Sequence, residues 1–105
     1  MKYLIRGSYT PEGLKGLLKE GGSGRREHFA NNVKTLGGSV DAFYYALGDD
    51  DLVAIVDLPT ETDVVTLTMG ISAGGAFIAK TTVLVAPEAI DAAVKKDIGY
   101  RPPGA

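Results

Sequence analysis

The pattern of hydrophobic and polar positions predicts a strand followed by a bent helix in the first third of the chain. Residues 2–9, KYLIRGSY, are rich in aromatic and branched side chains, as strands are. Thr10-Pro11 is a typical helix start, and apolar residues at helical spacing follow as far as Gly21-Gly22. Ser23 can cap a second helical stretch that ends at Gly37-Gly38. We therefore predict one crossover helix with a bend.

The pattern of the remaining chain predicts a hairpin, a helix, a strand and a short last helix. The glycine and aspartate turn GDD separates two apolar runs, which is typical of an antiparallel hairpin. A Thr60 cap and a Pro87 start mark the later helices. The predicted segments are strands 39–47, 51–58 and 76–85, helices 61–73 and 87–94, and a loose tail 97–105.

This order predicts an α+β fold of the ferredoxin-like βαββαβ type with an added C-terminal helix, in one domain covering residues 1–96. The helices can cover only one face of a four-stranded sheet. In LVAIVDL, residues 52–58, both alternating sets of positions are apolar, so we expect the second face to be covered as well. An identical sheet from a second subunit would cover it, which predicts a dimeric α+β barrel in a homodimer or a higher homo-oligomer.

Composition and charge narrow the possible partners. The 105 residues carry 11 basic and 13 acidic side chains, so a net charge of −2 attracts neither nucleic acid nor an anionic membrane. There is no run of 18 apolar residues. The chain has no cysteine, which excludes thiol chemistry and cysteine metal sites and is compatible with a reducing compartment. We expect a soluble cytoplasmic protein.

Polar residues inside the apolar strands are the first candidates for a site, because each must face a pocket, an edge or a partner. Arg6 and Ser8 share one face of the first strand, and Lys80 and Thr82 share one face of the last. Together with Asp57 they can form a ligand-binding floor. The alternative is a charge pair between Arg6 or Lys80 and Asp57 at the dimer interface.

A second candidate is the helix restart, GGSGRREHF. Free backbone N–H groups near Ser23, with Arg25 and Arg26 beside them, could hold a carboxylate or phosphate. Positive charge at a helix start opposes the helix dipole, so we expect at least one of these arginines to pair with an acid such as Glu20. The alternative is a structural corner.

His28 and the tyrosines are the remaining groups with chemical potential. His28 is the only histidine, so it is a candidate proton carrier but lacks a second strong metal ligand nearby. Tyr44 is a candidate for the same role and for ligand binding. Tyr3, Tyr9, Tyr44 and Tyr45 could line a cavity with one hydroxyl donor each, although tyrosines also simply fill cores. The acids in the turn 49–51 lack the spacing of a calcium loop. We predict neither a metal nor a cofactor.

Several segments resemble the GYD-domain family of small bacterial and archaeal proteins. They are GSYTPEGLKGLLKEGG, the glycine pair before the second strand, FYYALG and GDDDLVAIVDLP, in the family's order across residues 2–91. The resemblance implies a fold similar to the dimeric α+β barrels, which include cofactor-free monooxygenases, lactone isomerases and haem-handling proteins. Gly48 and Asp51 match the family signature, but Asp50 stands where the signature has tyrosine, and a carboxylate does not replace a neutral phenol donor.

Two functions follow from these observations. The first is a homodimeric protein whose barrel binds a small anionic or aromatic molecule. The alternative is a cofactor-independent enzyme of the monooxygenase or isomerase type, with His28 or a tyrosine carrying the proton, which is supported by analogy of fold alone.

Overall fold

The protein forms four strands and four helices. The sequence pattern predicts the same number of strands but only three helices. The structure is a computed structural model that describes all residues, 1–105. The elements in chain order are β1 (Lys2–Tyr9), α1 (Pro11–Glu20), α2 (Gly22–Thr35), β2 (Ser39–Tyr45), β3 (Leu52–Asp57), α3 (Glu61–Ala73), β4 (Phe77–Leu84) and α4 (Pro87–Ala93).

The strands form a single antiparallel sheet in the order β2-β3-β1-β4. Each of the two crossovers, β1 to β2 and β3 to β4, passes over one strand, which is the split βαβ topology. The predicted α+β class and four-stranded antiparallel sheet are therefore confirmed. Strands β2, β3 and β4 are slightly shorter than their predicted segments, because the residues at those ends lie in bends or irregular backbone.

The predicted bent helix is in fact two helices. Gly21 lies between α1 and α2 with φ 78° and ψ 163°, a conformation that interrupts the helical hydrogen bonds and that glycine adopts without strain. Helix α2 begins at Gly22, without a side-chain cap, so the predicted Ser23 cap is wrong. The caps predicted at Thr10 and Thr60 are both present, and Thr60 forms a complete capping box with Asp63.

The hydrophobic core lies between the helices and one face of the sheet. Strands β1 and β3 contribute alternate residues to it, while α2 and α3 contribute one apolar stripe each. The buried residues are Tyr3, Ile5, Phe29, Val33, Leu52, Ala54, Val56, Leu58, Val64, Leu67 and Phe77. None of the four helices is long and apolar enough to cross a membrane.

The opposite face of the sheet, which we call the open sheet face, carries no helix of its own chain. Its centre is apolar, as the double-sided strand pattern predicts, and its margins carry charged and hydroxyl groups. The register places on it Leu4, Arg6, Ser8, Tyr44, Val53, Ile55, Ile78, Lys80 and Thr82. Leu4, Val53 and Ile55 are only half-buried in the single chain.

The C-terminal segment projects from the rest of the molecule. No residue of α4 is buried, and residues 94–105 form neither helix nor strand. The chain measures 57 × 33 × 23 Å with a radius of gyration of 17.2 Å, compared with about 13 Å for a compact domain of this length. The boundary placed at residue 96 stays a prediction.

The start of α1 is fastened to the start of β4. The Thr10 backbone N–H donates to the Ala76 carbonyl over 3.0 Å, and its hydroxyl donates to the Gly75 carbonyl over 2.8 Å. Gly13 is buried against the same strand end, where an added Cβ would lie 1.9 Å from the Ala76 oxygen. Glycine at this position therefore allows the helix to approach the strand backbone.

We expect Gly13→Ala to lower the free energy of unfolding by about 1–3 kcal/mol, because α1 must move away from Ala76. Gly16→Ala is the matched control in the same helix: a Cβ there meets nothing within 4 Å. It should raise stability by about 0.5–1 kcal/mol, since alanine is the better helix former. Urea unfolding followed by circular dichroism measures both, and equal shifts in the two variants would contradict this packing.

Candidate binding cleft

A cleft of about 620 Å³ opens between the helices on the core side of the sheet. Helices α1 and α2 form one wall, α3 forms the other, and the sheet forms the floor. The apolar lining residues include Ile5, Leu17, Phe29, Phe43, Leu67, Ile71 and Phe77. A volume of this size with mainly apolar walls is typical of small-molecule sites.

Glycines in the facing helices keep the cleft wide. Gly16 lies in the middle of α1 and Gly70 lies within α3, and both line the cleft. A Cβ added at either position would have no neighbouring atom within 4 Å. Glycine inside a helix costs roughly 0.5–1 kcal/mol relative to alanine. Neither glycine is required by close packing, because an added Cβ would fit at both positions. The effect of having glycine there is to leave open space in the cleft.

One ion pair lies on the wall of the cleft. Arg25 of α2 donates to Glu20, at the end of α1, over 3.3 Å, and both side chains line the cleft. Their side chains are 38% and 42% exposed, so the pair contributes only about 0–1 kcal/mol. A ligand carboxylate can therefore replace Glu20 as the partner of Arg25 at little cost.

Tyr9 supplies a neutral hydrogen-bond donor to the same cleft. Burial, and then the neighbouring Tyr45, raises the pKa of the Tyr9 phenol to about 12, so it stays protonated at neutral pH. Its ring packs edge-on against Phe77 with centroids 4.9 Å apart. Its backbone N–H donates to the Asp51 carboxylate over 2.9 Å, which fixes the end of β1 against the β2–β3 turn.

Aromatic contacts hold the β2 side of the cleft. The ring of Phe43 lies 5.5 Å from that of Phe29 in α2 and 5.4 Å from that of Tyr45. The Tyr45 hydroxyl donates to the Gly22 carbonyl over 2.9 Å, so β2 is fastened to the first residue of α2. This bond helps to position the helix that carries Arg25.

The predicted site residues do not form one cluster. Arg25 lines the cleft, but Arg26 and Tyr44 line a separate shallow depression beside β2 that also includes the acids Glu27 and Asp41. His28 is exposed and lines neither concavity. These residues therefore do not share one concavity, and the predicted pairing of an arginine with Glu20 is confirmed.

The strand residues share a face as predicted but pair differently. Arg6, Ser8, Lys80 and Thr82 all lie on the open sheet face, away from the cleft. Arg6 pairs with Asp50 over 3.4 Å. Within the chain, neither Arg6 nor Lys80 pairs with Asp57.

Asp57 instead binds the terminal amino group over 3.0 Å and Lys2 over 3.2 Å. The amino group, followed by Lys2, lowers the pKa of this carboxyl. Lys2 also pairs with Asp41, the residue at the β-bulge of β2, and these hydrogen bonds raise the lysine's pKa. Periodicity gives the face of a strand residue but not which neighbour bends toward it.

The acidic residues of the β2–β3 turn have different structural roles. Asp50 pairs with Arg6, while Asp51 accepts the Tyr9 N–H and its own backbone N–H donates to the Gly7 carbonyl over 2.8 Å. No three histidine, aspartate or glutamate side chains come together as a group that could hold a metal ion.

The GYD domain model matches residues 3–94, which is most of the chain. The protein belongs to the GYD domain family. A search of curated proteins finds no match. In this GYD protein the signature turn stands at one end of β1, where Asp51 positions Tyr9 and the non-matching Asp50 binds Arg6.

Sequence reasoning identified Tyr9 only as one of four tyrosines that could line a cavity, and it missed the two glycines of the cleft. Nothing in the strand pattern separates a phenol over a cleft from one in a packed core. Gly16 and Gly70 do carry a signal, because glycine inside an otherwise helical apolar pattern weakens the helix and calls for a packing or functional reason.

The raised pKa of Tyr9 predicts a fall in stability at high pH. The unfolded phenol loses its proton near its ordinary pKa of about 10, whereas the folded one keeps it to about 12. The contribution to folding is therefore complete below pH 10 and is lost as the pH rises through 12. We expect Tyr9→Phe to remove this part of the fall, measured by urea unfolding from pH 9 to 12.

The matched control for this experiment is Tyr44→Phe, which removes an exposed phenol from the other face of the sheet. This variant still contains Tyr9, so absorbance at the tyrosinate band should show the late-ionising phenol in it and not in Tyr9→Phe. Loss of the late step in both variants, or in neither, would contradict the assignment.

Proposed function

We propose that this GYD protein binds a small, largely aromatic molecule that carries one anionic or hydrogen-bond-accepting group. The observation that carries the proposal is the apolar cleft held open by Gly16 and Gly70, with Arg25 and the Tyr9 phenol on its wall. Phe29, Phe43 and Phe77 offer ring contacts to an aromatic body. The two polar groups fix its orientation.

The charges of the lining support a single anionic group rather than several. Arg25 is the one basic residue among those that line the cleft, and Glu12 and Glu20 line it as well. A monoanion gains a charge-assisted hydrogen bond from Arg25. A polyphosphate would bring further negative charges toward the two glutamates, so a carboxylate is the better match.

The enzymatic alternative requires a proton carrier within reach of the bound molecule. The predicted carriers His28 and Tyr44 line no part of the cleft, and Tyr9 remains protonated at neutral pH. A phenol in this state donates a hydrogen bond but does not accept a proton. These observations favour ligand binding over catalysis. We propose no cofactor.

We also propose that the protein is a cytoplasmic homodimer, in which two ferredoxin-like sheets pack through their open faces into an α+β barrel. Leu4, Val53 and Ile55 form a contiguous half-buried apolar centre there, and such surfaces mark association sites. Burial of this centre stabilises a dimer by about 25 cal/mol per Å². The lack of cysteine fits a reducing compartment.

The ligand proposal predicts that 2-naphthoate, an aromatic monocarboxylate, binds in the cleft. Backbone amide signals of residues along α1, α2 and α3 should shift during an NMR titration. Arg25→Ala should weaken binding by about 10–100-fold, because a hydrogen bond to a charged group is lost. Gly70→Leu should abolish binding, since its side chain fills the cleft.

Arg26→Ala is the control for this titration, because it removes an equal charge one residue away, outside the cleft. Its affinity should match that of the unaltered protein. Binding that is equally weak in both arginine variants would show that general charge attraction is responsible, and naphthoate shifts confined to the open sheet face would contradict the proposed site.

The dimer proposal predicts that Ile55→Glu gives a monomer, because it places a charge at the centre of the open sheet face. Val65→Glu is the control, since Val65 is an exposed apolar residue on α3, on the other side of the molecule. Sedimentation velocity at micromolar concentration measures both. A sedimentation coefficient of a monomer for the unaltered protein would end this part of the proposal.

A further inference from the structure

The C-terminal arm, residues 87–100, carries apolar side chains that are more than half exposed in the single chain. Ile90 in α4, Val94 at the cap of this helix and Ile98 beyond it are 54%, 75% and 89% exposed. Pro87–Ala93 is nevertheless a regular helix, with Asp91 beside Ile90 and Glu88 on the opposite side. A helix with one apolar side is stabilised mainly by packing that side against another surface, so a partner surface is missing.

The β4 margin of the open sheet face is the complementary surface. The apolar side chain of Ile78 on this margin is 61% exposed in the single chain. The neighbouring Lys80 stands directly opposite Arg6 across β1 and β4. Like charges in that position repel.

The charges of the two surfaces are opposite. Lys80 takes part in no ion pair of the chain, and neither does Glu88 or Asp91. Arg6 has Asp50 alone, over 3.4 Å. Lys80 on the β4 margin therefore lacks an acid, and helix α4 carries two acids and no basic residue, while Lys95 and Lys96 follow it in the arm.

One chain cannot bring these surfaces together as it stands. The arm follows β4, none of the residues of its helix is buried, and the molecule measures 57 Å along its longest axis. A second copy can provide the contact, and in a two-fold dimer each arm reaches the sheet of the other subunit, so that both contacts form at once.

We propose that the C-terminal arm of one subunit docks on the β4 margin of the open sheet face of a second copy. Ile90 and Val94 pack on Ile78, while Asp91, about 100° from Ile90 around the helix, pairs with Lys80. The proposal rests on the homodimer proposed above and adds an exchange of arms beside the packed sheet centres. The arm is then part of the dimer interface rather than a loose end.

Ile90→Asp in the full chain tests the contact by analytical ultracentrifugation. It should raise the dimer dissociation constant by about tenfold or more, because it brings a charge into an apolar contact. Ala92→Asp is the matched control: the same residue is introduced about 200° away around the helix, and the constant should stay within about twofold. Equal constants for the two variants would overturn the arm exchange.

The charge contact has its own test. Lys80→Glu should weaken the dimer, and adding Asp91→Lys to the same chain should restore it, which a merely structural effect of either change does not produce. Additive weakening in the double variant would overturn the pairing of these residues.

A disulfide distinguishes exchange between subunits from folding back within one. Since the chain has no cysteine, Ile78→Cys combined with Ile90→Cys gives the only thiols. After oxidation, exchange predicts a covalent dimer on non-reducing gels. A covalent bond within one chain, or none, overturns the proposal. If the unaltered protein is monomeric, the homodimer itself fails. If it is dimeric and only the arm variants have no effect, the homodimer stands without the exchange.

Discussion

The architecture depends on a sheet whose two central strands are apolar on both faces, while the helices cover only one. In β1 and β3 the core-facing residues, such as Ile5 and Ala54, alternate with Leu4 and Ile55 on the open sheet face. Burial of the first set stabilises the fold of a single chain, and exposure of the second leaves free energy of association available. Both the cleft and the proposed dimer surface follow from this division, because they lie on opposite sides of the same strands.

The cleft exists because the helical layer is fastened at its ends and open in its middle. Thr10 and Gly13 fix the start of α1 to the start of β4, and Tyr45 fixes the start of α2 to β2. Between these points, glycines in α1 and α3 leave space that larger residues would fill. A chain selected for stability alone would gain from alanine there, so the cost of these glycines is the strongest sign that the opening serves a purpose.

Much of the fold could be predicted because it depends on local rules. Residues that are close in the sequence determine the caps at Thr10 and Thr60, the helix ends at glycine and the two-residue period of the strands. The break at Gly21 could not be distinguished from a bend, because a glycine permits either and the choice depends on how α1 and α2 pack on the sheet. The ion-pair partner of Asp57 likewise depends on where the first residues of the chain lie.

The candidate site was harder to predict, because a cleft is formed by surfaces of different elements that face each other. Arg25 and Arg26 are indistinguishable in sequence, yet one pairs with Glu20 while the other lies beside β2, because the rotation of α2 decides which of them reaches the cleft.

The signature turn of the family acts on the cleft from a distance. Asp51 does not line the cleft, but its carboxylate accepts the backbone N–H of Tyr9, a residue that does. The same aspartate's backbone is bonded to Gly7 and Ala46, so the end of β1 and the turn are held together as one unit. Asp50, where the family signature has tyrosine, is directed instead at Arg6 on the open sheet face. A single turn thus connects the two faces of the sheet: one acid positions a donor for the cleft, and its neighbour sets the charge of the surface on which a second subunit would pack.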